Sequence, residues 1–298
     1  PSELTVRPSA RPPVTADAGM LLVTLIWGTN FTAMKIGLEA MPPLAFTALR
    51  FVSSSLLLCA ILRIRTGRLS IPKGLFWPLV GLGVLGNTLY QLAFTIGLAL
   101  STATNCALIL STMPAVVATL GHLTGVEHAT RRMWWGIGIA TVGVALVVAA
   151  RGVAFTASTL RGDLLAIAAT LFWASYTLGL RRLPKTISTL EVTTLATLTG
   201  TPGLVLAGLP AILGLGWGAV PLRAWLAMAY ASVLSLVVAY FIWNASVARV
   251  GSNRTAIYMC ITPIVAAIVA WLVLGERLLP LQGVGAVLIV AGVLLTRK

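Results

Sequence analysis

The chain carries one pattern twice, and each copy holds an odd number of apolar runs long enough to cross a membrane. At an offset of 149 residues Ala107 falls on Ala256, Pro114 on Pro263, Glu127 on Glu276, Gly136 on Gly285 and Gly143 on Gly292. At an offset of 146, Asp17 falls on Asp163, Trp27 on Trp173, Thr29 on Ser175 and Lys35 on the similarly charged Arg181. Runs of about 17 to 25 residues suit a bilayer. They lie at about 18–36, 43–62, 75–98, 102–120, 133–150, 163–180, 189–214, 224–247, 254–274 and 280–295. The seventh is the least clear, because Thr193, Thr194, Thr197, Thr199, Thr201 and Pro202 dilute its first half. Five crossings per copy force the second copy to begin on the opposite face, so a pseudo-two-fold axis in the membrane plane relates the two. The expected fold is all-α and integral to the membrane: ten transmembrane helices as two inverted five-helix repeats. The expected divisions are a cytoplasmic segment at 1–16, a first repeat at 17–151 and a second at 152–298.

Charge sets the orientation and excludes a tempting partner. Only 9% of residues are charged and the mean hydropathy is +0.97, against roughly 25% charged in soluble domains. The net charge of +14 would suit nucleic acid only if the cations shared one face, and instead they are spread over short loops. With the N-terminus inside, the inner segments hold fifteen cations, Arg63, Arg65, Arg131, Arg132, Arg181 and Arg182 among them. The outer segments hold four, Arg151, Arg161, Arg223 and Arg277. That bias predicts both termini inside. Cys59, Cys106 and Cys260 all fall within apolar runs, so no disulfide framework is expected. The first run contains Asn30 and Lys35 and lacks a small-residue cleavage site, which reads as a retained helix and not a removed signal peptide.

The residues that do not belong in lipid point to a path through the bundle. Trp27, Asn30, Asn87, Tyr90, Gln91, Asn105, Trp173, Tyr176, Tyr240, Trp243, Asn244 and Tyr258 lie within spans one, three, four, six, eight and nine. Rings mixed with neutral hydrogen-bonding groups suit a ligand with an apolar body and a few polar atoms. Singly, each polar residue is as well explained by an interhelical hydrogen bond of about 0.6 kcal/mol. Trp27 and Trp173, related by the repeat, are expected as opposing walls of the site. Trp77, Trp134, Trp135, Trp217 and Trp225 sit near span ends, as interfacial anchors do. Pro114 and Pro263 occupy matching places in spans four and nine and withhold the N–H that Leu110 and Met259 would accept. They are expected hinges, a packing bend being the alternative. Arg50 lies about eight residues into the second span. An ion pair with Glu39 or Glu276, or snorkelling, is the simpler reading, and a clamp for a substrate carboxylate the sharper one. Its repeat counterpart is Ala196. Lys35 reads as an interface anchor.

Trp27-Gly28-Thr29-Asn30-Phe31 with Lys35, the spacing of Pro114 to Glu127 and of Pro263 to Glu276, and the glycine-rich spans after each glutamate resemble the EamA-type members of the drug/metabolite transporter superfamily. The resemblance covers essentially the whole chain. Within that family it is closest in character to the YddG-type aromatic amino acid exporters, which implies export of aromatic amino acids and related compounds across a bacterial-type inner membrane. The residues themselves support a carrier rocking two halves around a central cavity, with a small-molecule substrate and membrane lipids as partners and no nucleic acid. The alternatives are a polytopic membrane enzyme acting on a lipid-soluble substrate, a multidrug or other-metabolite carrier of the same fold, and a pore, for which no ring of carboxylates or filter loop is visible. No acid lies in mid-span, which favours movement down a gradient over proton coupling. Neither a cofactor nor a metal is expected. Gly81 to Gly86 spells G-x-G-x-x-G inside an apolar run, where close helix packing is the expectation. His122, Glu127 and His128 lack zinc-site spacing.

Overall fold

The computed structural model describes residues 14–67, 74–101, 103–150, 152, 155–274 and 279–297. Glu276 lies outside the described residues, as do the loop cations Arg7, Arg11, Arg68, Lys73, Arg151, Arg277 and Lys298. The described residues form helices and connecting turns without strands. In lipid a backbone must satisfy its own polar groups, and a run of apolar residues does so as a helix. Among the described residues nine helices are long and apolar enough to cross a membrane: α1 (Ala16–Leu38), α2 (Pro43–Thr66), α3 (Phe76–Leu100), α4 (Asn105–Leu123), α5 (Arg131–Ala149), α6 (Leu160–Arg181), α7 (Thr189–Leu213), α8 (Leu222–Val250) and α9 (Ser252–Val273). A shorter apolar helix, α10 (Pro280–Thr296), completes the ten.

The threonine-rich α7 shows how a diluted run still spans. Ser188 and Glu191 form a reciprocal capping box at its start, which satisfies two of the donors a helix leaves free there. Thr193, Thr199 and Thr201 then donate their hydroxyls to the carbonyls of Thr189, Leu195 and Thr197, one turn back, at 2.8, 2.8 and 2.7 Å. Thr193, Thr194, Thr197 and Thr201 are buried against the bundle. Most of the hydroxyls that lower the hydropathy of this run are thus turned into the bundle or bonded to their own helix.

Inversion is visible in which helices touch. Helix α5 packs on α10 and α2 on α7, each pair mapping onto itself when the halves are exchanged. Contacts of α1 with α8 and α9 have their counterparts in contacts of α6 with α3 and α4. Individual residues obey the same exchange. A Cβ on Gly136 would stand 2.7 Å from the Gly292 carbonyl oxygen, and one on Gly143 would stand 2.6 Å from that of Gly285. Because Gly136 corresponds to Gly285 and Gly143 to Gly292, swapping the halves turns one contact into the other. Apolar side chains have little reason to leave lipid for one another, so helix association relies on close backbone approach at small residues.

Two pairs of helices depart from regular geometry, again in matching places. Helix α4 breaks at Thr112, just before Pro114, and restarts at Met113. Helix α9 tightens into a 3₁₀ stretch over Ile257–Ile261, just before Pro263. The Met259 carbonyl, which Pro263 cannot serve, accepts instead from the Thr262 N–H. Helices α3 and α8 widen into π-helical stretches at Val84–Leu89 and Ala231–Val238, whose positions correspond within the repeat. No proline or other plain marker announces these in the sequence; π-turns form where tertiary contacts make the unusual spacing worthwhile. The glycines of the G-x-G-x-x-G run serve packing: Gly83 abuts α7 at Ala196 and Gly200, Gly86 lies under the Tyr176 ring, and Gly81 faces open space. Trp77, Trp135 and Trp217 are exposed near helix ends, as interfacial anchors are.

Candidate functional site

Four helices, α1 and α3 from the first half with α6 and α8 from the second, bring their aromatic residues to one place. Trp173 is the hub. Its ring touches Trp27, Tyr90, Tyr176, Tyr240 and Trp243 with centroids 6.0, 4.9, 5.2, 5.3 and 5.6 Å away. Trp27 also meets Tyr240 at 6.1 Å and Trp243 at 5.4 Å. These are tilted and edge-on geometries, which suit the ring quadrupole better than a face-to-face sandwich. Trp27 and Trp173, expected as opposing walls, meet edge to face with planes 75° apart. Trp173 is 3% and Trp243 0% exposed, while Trp27 and Tyr90 are partly buried. Helical spacing explains the grouping: Trp173 and Tyr176, and Tyr240 and Trp243, are three apart and share a face.

The polar tips divide into satisfied and unsatisfied groups. The Trp27 Nε1–H donates to the Ser235 carbonyl at 3.1 Å, within the π-helical stretch of α8. Tyr176 donates to Asn244 Oδ1 at 2.9 Å, and Asn244 donates to Thr193 Oγ1 at 2.9 Å. Gln91 donates to the Tyr240 hydroxyl at 3.4 Å and accepts from Arg50 Nη2 at 2.7 Å. Asn87 donates to the Ala196 carbonyl at 2.8 Å. Trp173 Nε1, Trp243 Nε1, Arg50 Nε, Asn30 Oδ1 and Asn87 Oδ1 are buried without a hydrogen-bond partner among the described residues. Such atoms cost about 1 to 3 kcal/mol each unless something else serves them.

Of the two glutamates expected to pair with Arg50, Glu276 lies outside the described residues and Glu39 is engaged elsewhere. Glu39 pairs with Arg223 at 3.5 Å, on the exposed face, and not with Arg50. Arg50 is 2% exposed, and its partners among the described residues are the neutral Gln91, the Met34 sulfur at 3.6 Å and the Phe51 ring, with its centroid 5.7 Å away.

Two residues expected at the site belong to other clusters. Asn105, at the start of α4, donates to Asp163 Oδ1 at 3.1 Å, and Ser101 and Thr159 donate to the same carboxylate at 2.5 and 2.8 Å. Tyr258, in α9, donates to Asp17 at the start of α1. Asp17 and Asp163 are themselves repeat partners, so each anchors the first helix of its half to the fourth helix of the other, at opposite ends of the bundle. Glu127 does comparable work: it accepts from the backbone N–H of Ser252 at 2.7 Å and of Asn253 at 3.2 Å, and lies 3.9 Å from Arg181. A carboxylate at the N-terminus of α9 is favoured by the helix dipole. Gly251 sits there at φ 98°, where a Cβ would also stand 2.7 Å from Glu127 Oε1. Its pairing with Glu276 in the sequence marks position 127 as special without revealing this contact. A crevice of about 220 Å³ opens elsewhere, near the N-terminal ends of α1 and α7, lined by Ala16, Gly19, Thr189, Phe241, Ile242, Ala245, Ser246 and Arg249.

Comparison with known proteins agrees with this architecture. The chain matches the EamA-like transporter family twice, over residues 14–149 and 160–298. An uncharacterized transporter of Archaeoglobus fulgidus is 31% identical over 280 residues, spanning 93% of this chain and 95% of the relative. The uncharacterized transporter YyaM of Bacillus subtilis is 27% identical over 280 residues, spanning 92% and 91%. A probable amino-acid metabolite efflux pump of Escherichia coli is 28% identical over 284 residues and spans 91% of each chain. A crystal structure with 19% identity superposes with a TM-score of 0.81 over 96% of this chain and 98% of that one, which shows a shared fold.

Proposed function

Because the chain belongs to the EamA-like transporter family, we propose that it is a secondary transporter exporting small amphipathic metabolites, aromatic and other neutral amino acids foremost, by alternating access. The observation that carries this reading is the ring cluster itself, built from α1, α3, α6 and α8 and therefore shared between the halves. A substrate with an apolar body fits where those rings meet, since it replaces ring-on-ring contact with ring-on-ligand contact at little cost. Trp27, Tyr90, Trp173, Tyr176, Tyr240 and Trp243 form the walls in this reading, and Asn30, Asn87, Gln91 and Asn244 the polar contacts. Asn105 and Tyr258 act instead through the aspartates at the two ends. Residues 17–151 and 152–298 move as the two halves, flexing at Pro114 and Pro263, where the helical hydrogen bonds are already broken or shortened.

The name of the Escherichia coli relative speaks of amino-acid metabolite efflux, which supports an amino-acid-derived substrate, while an aromatic preference of the YddG type rests on the ring cluster and the sequence resemblance. The loop charges support an orientation with both termini in the cytoplasm, and a bacterial-type inner membrane as the location. A carrier with one alternating site shows counterflow: proteoliposomes preloaded with unlabelled phenylalanine should take up labelled phenylalanine faster than empty ones. Trp173→Ala should abolish the acceleration in protein that still elutes as a single folded species. Equal uptake with and without preloading would refute the alternating site, and conversion of the substrate would support a membrane enzyme.

A further inference from the structure

We propose that Arg50 recognises a carboxylate on the substrate, and that this anion, and not an amine, is the group the protein selects for; the inference rests on the carrier reading above. Arg50 stands seven residues into α2 from Pro43, about 10 Å along a helix at 1.5 Å per residue. Its guanidinium carries five donors and a permanent charge. The structure engages that charge with an amide oxygen, a weakly accepting sulfur and the Phe51 ring, whose centroid is 5.7 Å from the guanidinium carbon, and Nε–H has no partner among the described residues. Among the described residues the carboxylates are occupied elsewhere. Glu39 pairs with Arg223 and Glu127 with Arg181, while Asp17, Asp163 and Glu191 lie in the first turns of α1, α6 and α7. A buried charge lacking a counter-ion costs several kcal/mol, and intramembrane cations are kept where a function uses them.

Position makes the ligand specific. Gln91 bonds Arg50 on one side and the Tyr240 hydroxyl on the other, so the cation is one residue away from the rings. Within the cluster, the unpartnered atoms of Trp173 and Trp243 are both indole N–H groups, which can only donate. The unpartnered Asn30 and Asn87 oxygens are neutral acceptors, so among these groups only the guanidinium carries a full charge; it calls for an anion on an apolar body, and a carboxylate matches its fork in bidentate fashion. No described carboxylate faces the rings to pair with an ammonium. The repeat reinforces the asymmetry: the counterpart of Arg50 is Ala196, whose carbonyl accepts from Asn87, so the second half offers no cation at the matching position.

The test compares three ligands differing by one charged group each, read by quenching of tryptophan fluorescence in the full-length protein: phenylalanine, phenylalaninamide and 3-phenylpropionate. Phenylalanine and 3-phenylpropionate should bind within about threefold of one another, and the amide at least tenfold more weakly. Arg50→Gln should bring the acids down to the level of the amide, and Arg50→Lys should retain part of the preference. A merely structural arginine would weaken all three ligands alike. The proposal is overturned if wild-type protein shows no tenfold preference for the acids, if removing the amine abolishes binding, or if Arg50→Gln keeps the preference. Because the ligand comparison is made in wild-type protein, it stands even where a variant fails to fold. Counterflow is scored separately: a carboxylate that binds selectively without counterflow would sink the carrier reading and leave Arg50 as an anion site.

Discussion

Glu127→Gln should release the two halves from each other at the face that carries the N-terminus. In the structure this carboxylate holds two backbone N–H groups of α9, at 2.7 and 3.2 Å, so it ties a first-half loop to a second-half helix. A hydrogen bond to a charged group contributes about 1.5 to 3 kcal/mol net, and an anion at a helix N-terminus about 0.3 to 1 kcal/mol. The Arg181 pair, at 3.9 Å with side chains 33% and 17% exposed, adds under about 1 kcal/mol because water screens it. These terms overlap, and glutamine keeps one acceptor oxygen, so the loss comes to about 2 kcal/mol. At 1.4 kcal/mol per decade, that is about a 30-fold shift toward separation at this end. Cys260 reports it: the residue is in α9, in the 3₁₀ stretch, and fully buried. Maleimide labelling followed residue by residue by mass spectrometry should show Cys260 reacting on the order of 30-fold faster in Glu127→Gln. Cys106, in α4 next to the opposite end, should not accelerate. An unchanged Cys260 rate alongside a lowered melting temperature would refute the reasoning and leave Glu127 as a fold-stabilising cap.

Two substitutions separate packing from chemistry elsewhere. Gly143→Ala puts a Cβ 2.6 Å from the Gly285 carbonyl oxygen, whereas Gly138→Ala, on the same helix, meets nothing within 4 Å. The first should cost about 1 to 3 kcal/mol and visibly lower the melting temperature in detergent, and the second should leave it unchanged. Trp27→Phe keeps a ring in the cluster and removes the 3.1 Å bond to the Ser235 carbonyl. A melting-temperature loss equivalent to about 1 kcal/mol is expected, and a neutral result would show that the π-helical carbonyl finds another donor.

Lipid is the reason so much of the fold is legible in the chain. A backbone that crosses a bilayer has one economical solution, and hydropathy therefore reveals the helices, including α7 with its self-bonded threonines. The matched glycines and prolines likewise announce the repeat, and five spans per copy make it inverted. Much of the candidate site was legible by residue type: of the seven rings that stand out in the sequence, the fold gathers six. Partners were not. Asn105 and Tyr258 carry the same signal as Asn244 and Tyr240, yet they bond aspartates at the two ends of the bundle. Arg50 near an acidic loop residue reads as half of an ion pair, yet Glu39 reaches Arg223. The π-helical stretches of α3 and α8 have no local marker at all.

The physical reason for the division is the range of the interactions involved. Span, orientation and inversion follow from each segment's transfer between water and lipid, a property of neighbouring residues along the chain. Which tryptophan N–H finds a carbonyl, and which arginine meets no anion among the described residues, follows from contacts across 200 residues or more in the case of Trp27 and Ser235, and only the packed helices decide those.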